Sequence, residues 1–264
     1  MARPNKRLGQ HFLRDARLLG RIADAVGAGP ADTVLEVGPG PGGLTAELAK
    51  RAGRVVALEK DRALARAIAG RWPNVEVVEG DALALDWHAL AAGPFLVAGN
   101  IPYNVTSPLV DKALAPPRPA SITFLVQREV ADRLAASPAT PAYGALTVGV
   151  QAVAAVEQLF RVPAGAFHPP PKVESAVVRL VPLAEPLVAD AEVPGFRRTV
   201  VGLFGFRRKQ LLRGVRELTG WGGEPAGAAL ARADVTPTLR PEALAPGDFV
   251  RLHRALVDGG WLGG

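Results

Sequence analysis

Cysteine is absent from this 264-residue sequence, so disulfide bonds and thiolate metal sites are excluded. The four histidines, at positions 11, 88, 168 and 253, are too scattered to match the ligand spacing of a zinc site. The longest weakly polar stretch, residues 144–156, is too short to span a bilayer and contains Gln151. The basic N-terminus lacks the apolar segment of a secretory signal. We therefore expect a soluble, cytoplasmic protein with no metal ion and no membrane partner.

Acidic residues are scarce in two stretches that are rich in arginine and lysine. Residues 1–21 contain six basic residues against Asp15 alone, and residues 197–216 contain seven basic residues and no acidic one. The formal net charge of the chain is +6. Because this excess is gathered into two clusters, it favours a nucleic-acid surface over a generally basic composition. The candidate contacts to a nucleic-acid backbone are Arg7, Arg207, Arg208 and Lys209.

A glycine-rich turn follows the first strand that we predict. That strand, residues 34–37, runs into Gly38-Pro39-Gly40-Pro41-Gly42-Gly43, and a helix is predicted over residues 44–51. Such a turn lets the backbone approach a ligand closely and directs amide donors at it. Glu59 follows the second predicted strand about 20 residues further on, as in a dinucleotide-binding fingerprint. The glycine spacing alone therefore leaves a nicotinamide cofactor open.

Acidic residues mark three successive strands of the predicted sheet. Glu36 lies inside the first strand, where a carboxylate is costly to bury without a partner. We expect it either to bond to backbone donors of the glycine turn or to face a cationic ligand. Glu59 ends the second strand, and Asp81 follows the third, residues 75–78. Three acids around one pocket suit a ligand with a ribose, an adenine and a positive centre, which favours S-adenosylmethionine over a pyrophosphate cofactor.

The stretch Gly99-Asn100-Ile101-Pro102-Tyr103 follows a fourth predicted strand, residues 95–98. Ligands of open α/β sheets bind at the carboxyl ends of the strands, where Asn100 is expected to lie. Pro102 restricts Ile101 to an extended conformation and fixes its own φ angle. The Asn100 side-chain oxygen and the Ile101 carbonyl can both accept from an exocyclic amine, while Tyr103 offers a face for stacking. The group suits an amino-bearing base, although a strand-end turn with a packed tyrosine explains the same residues.

The remaining pattern predicts an α/β sheet followed by a small all-α domain. Further strands are predicted over 121–126 and 156–162, and residues 173–181 are expected to close the sheet as its final strand. Helices are predicted over 15–26, 127–136, 142–153, 196–218, 224–232, 241–244 and 247–258. A shift in composition near residues 183–193 marks the expected boundary between domains 1–183 and 184–264, with residues 1–14 as a basic arm.

Six motifs occur in an order that resembles the KsgA-type ribosomal RNA adenine dimethyltransferases. They are Gly9-Gln10-His11-Phe12-Leu13, Glu36-Val37-Gly38-Pro39-Gly40, Glu59, Gly80-Asp81-Ala82, Asn100-Ile101-Pro102-Tyr103 and Phe167-His168-Pro169-Pro170-Pro171-Lys172-Val173. The ordered set covers the chain from the arm to about residue 220. This family's arm usually carries asparagine where the chain has His11.

The resemblance implies a Rossmann-like class I methyltransferase fold and S-adenosylmethionine as the cofactor. It implies dimethylation at N6 of two adjacent adenosines near the 3′ end of small-subunit (16S) rRNA, within an assembling small subunit, and we expect a monomer. Its residues for holding and orienting the target base are Asn100, Ile101, Tyr103 and Phe167, with Phe167 opposite Tyr103. Its cofactor-binding residues are His11, Leu13, Glu36, Gly38, Gly40, Glu59, Asp81, Ala82 and Asn100.

Three alternatives remain at the level of sequence. An Erm-type enzyme would methylate an adenine of large-subunit rRNA and shares the Asn-x-Pro-Tyr group. The proline-rich loop 167–173 and the segment 204–209 look closer to the KsgA type. An assembly factor whose methylation is dispensable fits the basic clusters equally well. A nicotinamide oxidoreductase is supported only by the glycine spacing.

Overall fold

A computed structural model describes residues 10–261 of the chain, which divides into two compact units. The first unit comprises the chain up to Ala131 together with Val156–Pro182. The second comprises Asp132–Ala155 together with the chain from Leu183 onward. The expected division at residue 183 differs from this grouping in one segment, because residues 132–155 cluster with the C-terminal helices. The roles assigned to the two parts stay predictions.

Seven strands of the described chain form one sheet, and two more form a short antiparallel pair. The strands are β1 (Phe12–Leu13), β2 (Thr33–Val37), β3 (Arg54–Glu59), β4 (Val75–Glu79), β5 (Phe95–Asn100), β6 (Ser121–Gln127), β7 (Ala154–Val162), β8 (Phe167–His168) and β9 (Ser175–Pro182). The sheet order is β4-β3-β2-β5-β6-β9-β7, and β1 pairs with β8. From β4 to β6 all neighbours are parallel, which confirms the predicted α/β sheet.

Eleven α-helices connect or follow these strands within residues 10–261. They are α1 (Ala16–Val26), α2 (Gly43–Ala49), α3 (Arg62–Ile68), α4 (Trp87–Ala91), α5 (Thr106–Ala113), α6 (Arg128–Leu134), α7 (Ala145–Gln151), α8 (Val193–Gly205), α9 (Leu211–Thr219), α10 (Gly223–Arg232) and α11 (Pro246–Asp258). Residues 241–244, predicted as a short helix, form a 3-10 turn at Pro241–Ala243 instead of an α-helix. None of the helices in this described range is both long and apolar enough to cross a bilayer.

The first helix shows how local sequence fixes an element that backs the sheet. The Asp15 carboxylate accepts from the amides of Arg17 and Leu18 at 2.9 and 3.1 Å, which caps the start of α1. Gly27 ends the helix in the left-handed region, with a φ of 72°. The buried face of α1 joins a core cluster with residues from β2, β3, β5, β6 and β9.

The last strand of the sheet in chain order, β9, is the final strand that the sequence predicts, but it does not lie at the edge of the sheet. β9 pairs antiparallel with β6 and lies between β6 and β7. Burial explains the difference. Ala176, Val177 and Val178 of β9 are fully buried, whereas β7 is largely half-exposed or exposed, as suits an edge. The prediction of a final strand over residues 173–181 is therefore confirmed, while β7 forms the edge of the sheet.

The single helix predicted over residues 196–218 is wrong, because α8 ends at Gly205 and α9 begins at Leu211. The apolar positions keep helical spacing across the break, so the sequence pattern runs on through it. Hydrogen bonds to a distant segment of the chain nevertheless interrupt the helix. The amides of Leu211 and Leu212 donate to the carbonyls of Leu239 and Pro237 at 2.7 and 3.1 Å. The second helix therefore begins against another loop of its own unit.

The second unit is helical, with an aromatic core. Tyr143 is fully buried and its hydroxyl donates to the Leu244 carbonyl at 2.7 Å. The ring of Phe204 packs edge-on against Tyr143 and stacks on Phe249, with centroids 6.1 and 5.5 Å apart. Burial raises the pKa of Tyr143, so the phenol stays protonated and can keep donating.

Candidate active site

The carboxyl ends of four adjacent parallel strands meet at one edge of the sheet and line a cavity of about 230 Å³. In sheet order, Asp81 follows β4, Glu59 ends β3, Glu36 lies within β2 and Asn100 ends β5. The structure thus brings together residues that the sequence placed at separate strand ends. Every residue that the resemblance assigns to the cofactor lines this cavity: His11, Leu13, Glu36, Gly38, Gly40, Glu59, Asp81, Ala82 and Asn100.

The glycine turn between β2 and α2 forms one wall of the cavity. Gly38 and Gly40 have φ angles of 70° and 57°, in the left-handed region that favours glycine. A Cβ added at Gly40 would lie 3.1 Å from the ring of Phe12. The Gly38 amide donates to the Leu58 carbonyl at 3.0 Å, which ties the turn to β3. The turn is therefore held in a shape that keeps its backbone close to the cavity.

Glu59, rather than Glu36, braces the glycine turn. Its two carboxylate oxygens accept from the amides of Gly40 at 2.9 Å and Asp61 at 2.8 Å. Burial raises the pKa of Glu59, and these backbone donors oppose that effect. Of the two alternatives expected for Glu36, the bond to backbone donors of this turn is not the one observed at Gly40, whose amide donates to Glu59 at the end of the neighbouring strand.

Glu36 is a buried carboxyl that is incompletely partnered among the described residues. It is only 1% exposed, and its Oε2 atom has no hydrogen-bond partner within residues 10–261. Burial raises the pKa of Glu36 to about 8, with Thr45 opposing the shift and the charge of Glu59 adding to it. Because Glu36 lines the cavity, a ligand bound there would lie beside this carboxyl.

Asp81 differs from the other two carboxyls because it is partly exposed and ionised. Lys60 donates to its Oδ2 atom at 2.8 Å, and the Leu83 amide donates to its Oδ1 atom at 2.9 Å. The Lys60 hydrogen bond and then the Leu83 amide lower the pKa of Asp81. Ala82 is nearly buried, and its carbonyl accepts from Trp87 Nε1 at 2.8 Å.

Asn100 and Tyr103 are held by partners far away in the sequence. Asn100 Nδ2 donates to the His11 carbonyl at 3.0 Å, which leaves Oδ1 as the side-chain acceptor. The Tyr103 hydroxyl shares a 2.6 Å hydrogen bond with Ser175, and burial raises the pKa of Tyr103. Ile101 is 1% exposed, which fixes the short segment between them. Ser175 was missed from the sequence, since no motif marks it.

The described end of the N-terminal arm closes one side of the cavity. Phe12 and Leu13 in β1 pair with His168 and Phe167 in β8. The His11 ring lies 5.7 Å from the Tyr103 ring at an interplanar angle of 21°. Its Nδ1 atom lies 2.8 Å from the Pro169 carbonyl oxygen, so Nδ1 carries a proton and donates. Phe12 and Lys60 also line the cavity and were not predicted as site residues.

Phe167 does not enter the cavity. It is 4% exposed and packs in the core cluster with Leu13, Leu125 and Val177. Strand pairing with Leu13 packs its ring into the core, and its place opposite Tyr103 stays a prediction. The alternative that the same residues allowed, a core phenylalanine anchoring a proline-rich loop, describes its position.

The predicted basic contacts separate into two kinds. Arg207 is held within its unit: Nε donates to Glu242 at 2.5 Å, and its terminal nitrogens donate to the carbonyls of Pro141 and Thr140 at 3.3 and 3.4 Å. Arg208 and Lys209 are exposed on the turn between α8 and α9. Arg7 lies outside the described residues, as does most of the predicted arm 1–14.

Comparison with known proteins assigns the family. The model of the ribosomal RNA adenine dimethylase family matches residues 1–250. Proteins named ribosomal RNA small subunit methyltransferase A from Phenylobacterium zucineum and Caulobacter vibrioides are each 44% identical to the chain. The first alignment covers 95% of this chain and 87% of the relative, and the second covers 96% and 98%.

Solved structures agree with this assignment. A dimethyladenosine transferase from Plasmodium falciparum superposes with a TM-score of 0.81 at 25% identity, over 95% of this chain and 99% of that one. The 23S rRNA methyltransferase ErmE superposes with a TM-score of 0.72 at 33% identity, over 93% and 99%. These matches confirm the class I methyltransferase fold that the resemblance implied. The chain belongs to the ribosomal RNA adenine dimethylase family.

Proposed function

We propose that the chain uses S-adenosylmethionine to methylate N6 of two adjacent adenosines near the 3′ end of small-subunit (16S) rRNA, twice each. The observation that carries this proposal is the position of the Asn100 amide. Its Nδ2 atom is taken by the His11 carbonyl, so Oδ1 is the atom that remains to accept from an amino group. The ring of Tyr103 lines the same cavity. An exocyclic amine on a flat ring fits this pair.

The cavity residues fit S-adenosylmethionine. The unpartnered, buried Oε2 atom of Glu36 suits a ligand that carries positive charge. Glu59 would take the ribose hydroxyls and Asp81 the adenine amine. Gly38 and Gly40 would let the backbone approach, with His11, Leu13 and Ala82 closing the site. When bound, the cofactor supplies an electrophilic methyl group on a sulfonium.

Asn100 acts by orientation rather than as a base. Adenine N6 is a poor nucleophile because its lone pair is delocalised into the ring. If Asn100 Oδ1 and the Ile101 carbonyl accept its two hydrogens, the nitrogen becomes more pyramidal and its lone pair is directed at the methyl carbon. The methylated nitrogen is acidic and loses its proton to water. A preorganised acceptor of this kind contributes a factor of roughly a hundred to a thousand in rate, by analogy with oxyanion holes.

The target base must leave its stack to reach Asn100. Stacking on an aromatic side chain offsets that cost by about 1–3 kcal/mol. Since Phe167 is in the core, Tyr103 is the aromatic partner that we assign to the base. The hydrogen bond to Ser175 holds the ring of Tyr103 in place.

The helical unit would bind RNA through its exposed basic turn. Arg208 and Lys209 are solvent-exposed and suit contacts with phosphates, which fix position without reading sequence. Arg207 supports the turn instead, because its side chain is bound to Glu242. We propose a monomer that acts in the cytoplasm on an assembling small subunit.

Transfer of a labelled methyl group to separated ribosomal subunits tests the proposal. We expect label on small-subunit RNA, with mass mapping locating dimethyladenosine at two adjacent positions near the 3′ end. Asn100→Ala should lower the rate roughly a hundred- to a thousand-fold with unchanged RNA binding. Label confined to large-subunit RNA would favour an Erm-type activity. Tight calorimetric binding of NAD, with none of S-adenosylmethionine, would refute the methyltransferase assignment.

A further inference from the structure

Three exposed arginines lie at the start of the first helix. We call Arg14, Arg17 and Arg21 the α1 arginine row. Within residues 10–261 none of the three forms an ion pair with an acidic side chain, although most other ion pairs in this range join arginine to a carboxylate. Arg17 and Arg21 are four residues apart on α1, which places them about 40° apart around the helix at 3.6 residues per turn, and Arg14 precedes the helix by two residues.

The row is unfavourable for the isolated helix. Like charges four residues apart destabilise a helix by about 0.2–0.5 kcal/mol. Arg17 also lies in the first turn of α1, where the helix dipole disfavours a positive charge. Natural proteins break such local rules chiefly at functional sites. The missing contact here is a negative charge.

The nearby acids are already engaged. Asp15, between Arg14 and Arg17, uses its Oδ1 atom to cap the helix. The Oδ1 atom of Asp24 accepts from the Arg51 guanidinium at 2.8 Å. Neither carboxylate is paired with an arginine of the row, so the row keeps a net positive charge.

The row is also fixed in position. The Arg14 amide donates to the Ala166 carbonyl at 2.9 Å, and the Arg21 guanidinium lies 3.9 Å from the centroid of the Phe160 ring. A guanidinium stacked through its flat face keeps its N–H groups free at the edge, the geometry that binds phosphate. The buried side of α1 packs in the core, which keeps the opposite side toward solvent.

The row begins next to the active-site cavity. Leu13, immediately before Arg14, lines the cavity, and so does Leu19 within the same helix. We propose that the α1 arginine row binds phosphates of the RNA strand that flanks the target adenosine. This inference rests on the proposed function, since it requires an RNA whose base enters the cavity. It assigns RNA contact to the first unit, separately from Arg208 and Lys209 in the second, helical unit.

A pair of variants with a matched control tests the row. Arg17→Gln with Arg21→Gln removes two charges four residues apart. Arg62→Gln with Arg66→Gln removes two exposed arginines with the same spacing from α3 of the same unit. Binding to protein-free 16S RNA and to unmethylated small subunits is measured across a range of salt concentrations. Cofactor affinity and the rate at saturating RNA are measured alongside.

We expect the α1 double variant to bind both RNA probes roughly 10- to 30-fold more weakly near physiological salt. The slope of log K against log salt concentration should fall by about 1.5, as for two lost phosphate contacts. The α3 variant, the cofactor affinity and the saturated rate should match wild type. An unchanged salt slope would overturn the assignment of RNA as the ligand of the row. A loss of affinity seen only with assembled subunits would also overturn it, in favour of an acidic protein. The salt slopes are measured without catalysis. A wild-type chain that methylates neither subunit would therefore refute the proposed function, while the salt slopes of the variants would still test whether the α1 arginine row binds RNA.

Discussion

The side chain of Asn100 and the main chain of His11, 89 residues apart in sequence, are joined by a 3.0 Å hydrogen bond. This contact sets which end of the amide faces the cavity, because a reversed amide would place two acceptor oxygens together. The ring of His11 donates to the Pro169 carbonyl and also stacks on the ring of Tyr103. The orientation of the proposed acceptor, Asn100 Oδ1, therefore depends on the docked position of the N-terminal arm.

The first prediction concerns Asn100→Asp. A carboxylate has no donor for the His11 carbonyl, so two acceptors would repel and the arm would be displaced. We expect the single-turnover rate of methyl transfer to fall roughly a hundred- to a thousand-fold and cofactor binding to weaken, with the fold retained. Calorimetry measures the affinity for the cofactor. Asn104→Asp is the matched control, because Asn104 also lines the cavity; an equal loss in both variants would contradict the role of the His11 contact.

The second prediction concerns pH. The pKa of Glu36 rises from an ordinary 4.5 to about 8 in the folded chain. Folding then takes up a proton between these values, so the carboxyl's favourable contribution is complete below pH 4.5 and is lost as pH rises through about 8. At about 1.4 kcal/mol per pKa unit, the loss approaches roughly 5 kcal/mol.

Glu36→Gln should therefore be more stable than wild type at pH 8 and should differ little from it near pH 4.5. Thermal unfolding of the cofactor-free chain across this range measures the difference between the two proteins, in which the other titrating groups, Glu59 among them, largely cancel. Glu76→Gln, at a largely exposed carboxyl, is the control. A pH-independent difference between wild type and Glu36→Gln would show that the carboxyl does not take up a proton on folding.

The strand ends were predictable because two local signals agree there. Apolar runs such as residues 95–98 define buried parallel strands, and the topology of such sheets brings Glu59, Asp81 and Asn100 to one edge without knowledge of side-chain contacts. The sequence therefore predicts the parallel strands and the residues at their carboxyl ends.

What the sequence did not predict depends on contacts between distant segments. Which of two carboxylates reaches the Gly40 amide depends on side-chain reach, and Glu59 rather than Glu36 accepts it. Phe167 turns inward because β8 pairs with β1 from the far end of the chain. The helix over 196–218 breaks because the Leu211 amide finds the Leu239 carbonyl. Periodicity describes one segment at a time, so it contains none of this information.

The third prediction concerns Gly40→Ala. With a φ of 57° and the Phe12 ring 3.1 Å from an added Cβ, alanine is strained and pushes against the arm. We expect destabilisation of about 1 kcal/mol or more and weaker binding of S-adenosylmethionine. Urea unfolding and calorimetry measure the two effects. Gly149→Ala lies within α7 with open space around the new Cβ and should be neutral or slightly stabilising; a similar loss of cofactor binding there would contradict the steric argument.

The last prediction separates two neighbouring arginines of the predicted RNA surface. Arg207 is bound to Glu242 and to two carbonyls, whereas Arg208 is exposed. Because the Arg207–Glu242 pair is partly exposed, its contribution to stability is modest, and we expect Arg207→Ala to lower the free energy of unfolding by about 1 kcal/mol. Arg208→Ala should leave the free energy of unfolding unchanged. It should lower the slope of log K against log salt concentration by about the amount expected for one lost phosphate contact. Urea unfolding and salt-dependent binding measure both variants. If Arg207→Ala lowered the salt slope without a stability change, Arg207 would be a direct RNA contact and the supporting role assigned to it would be wrong.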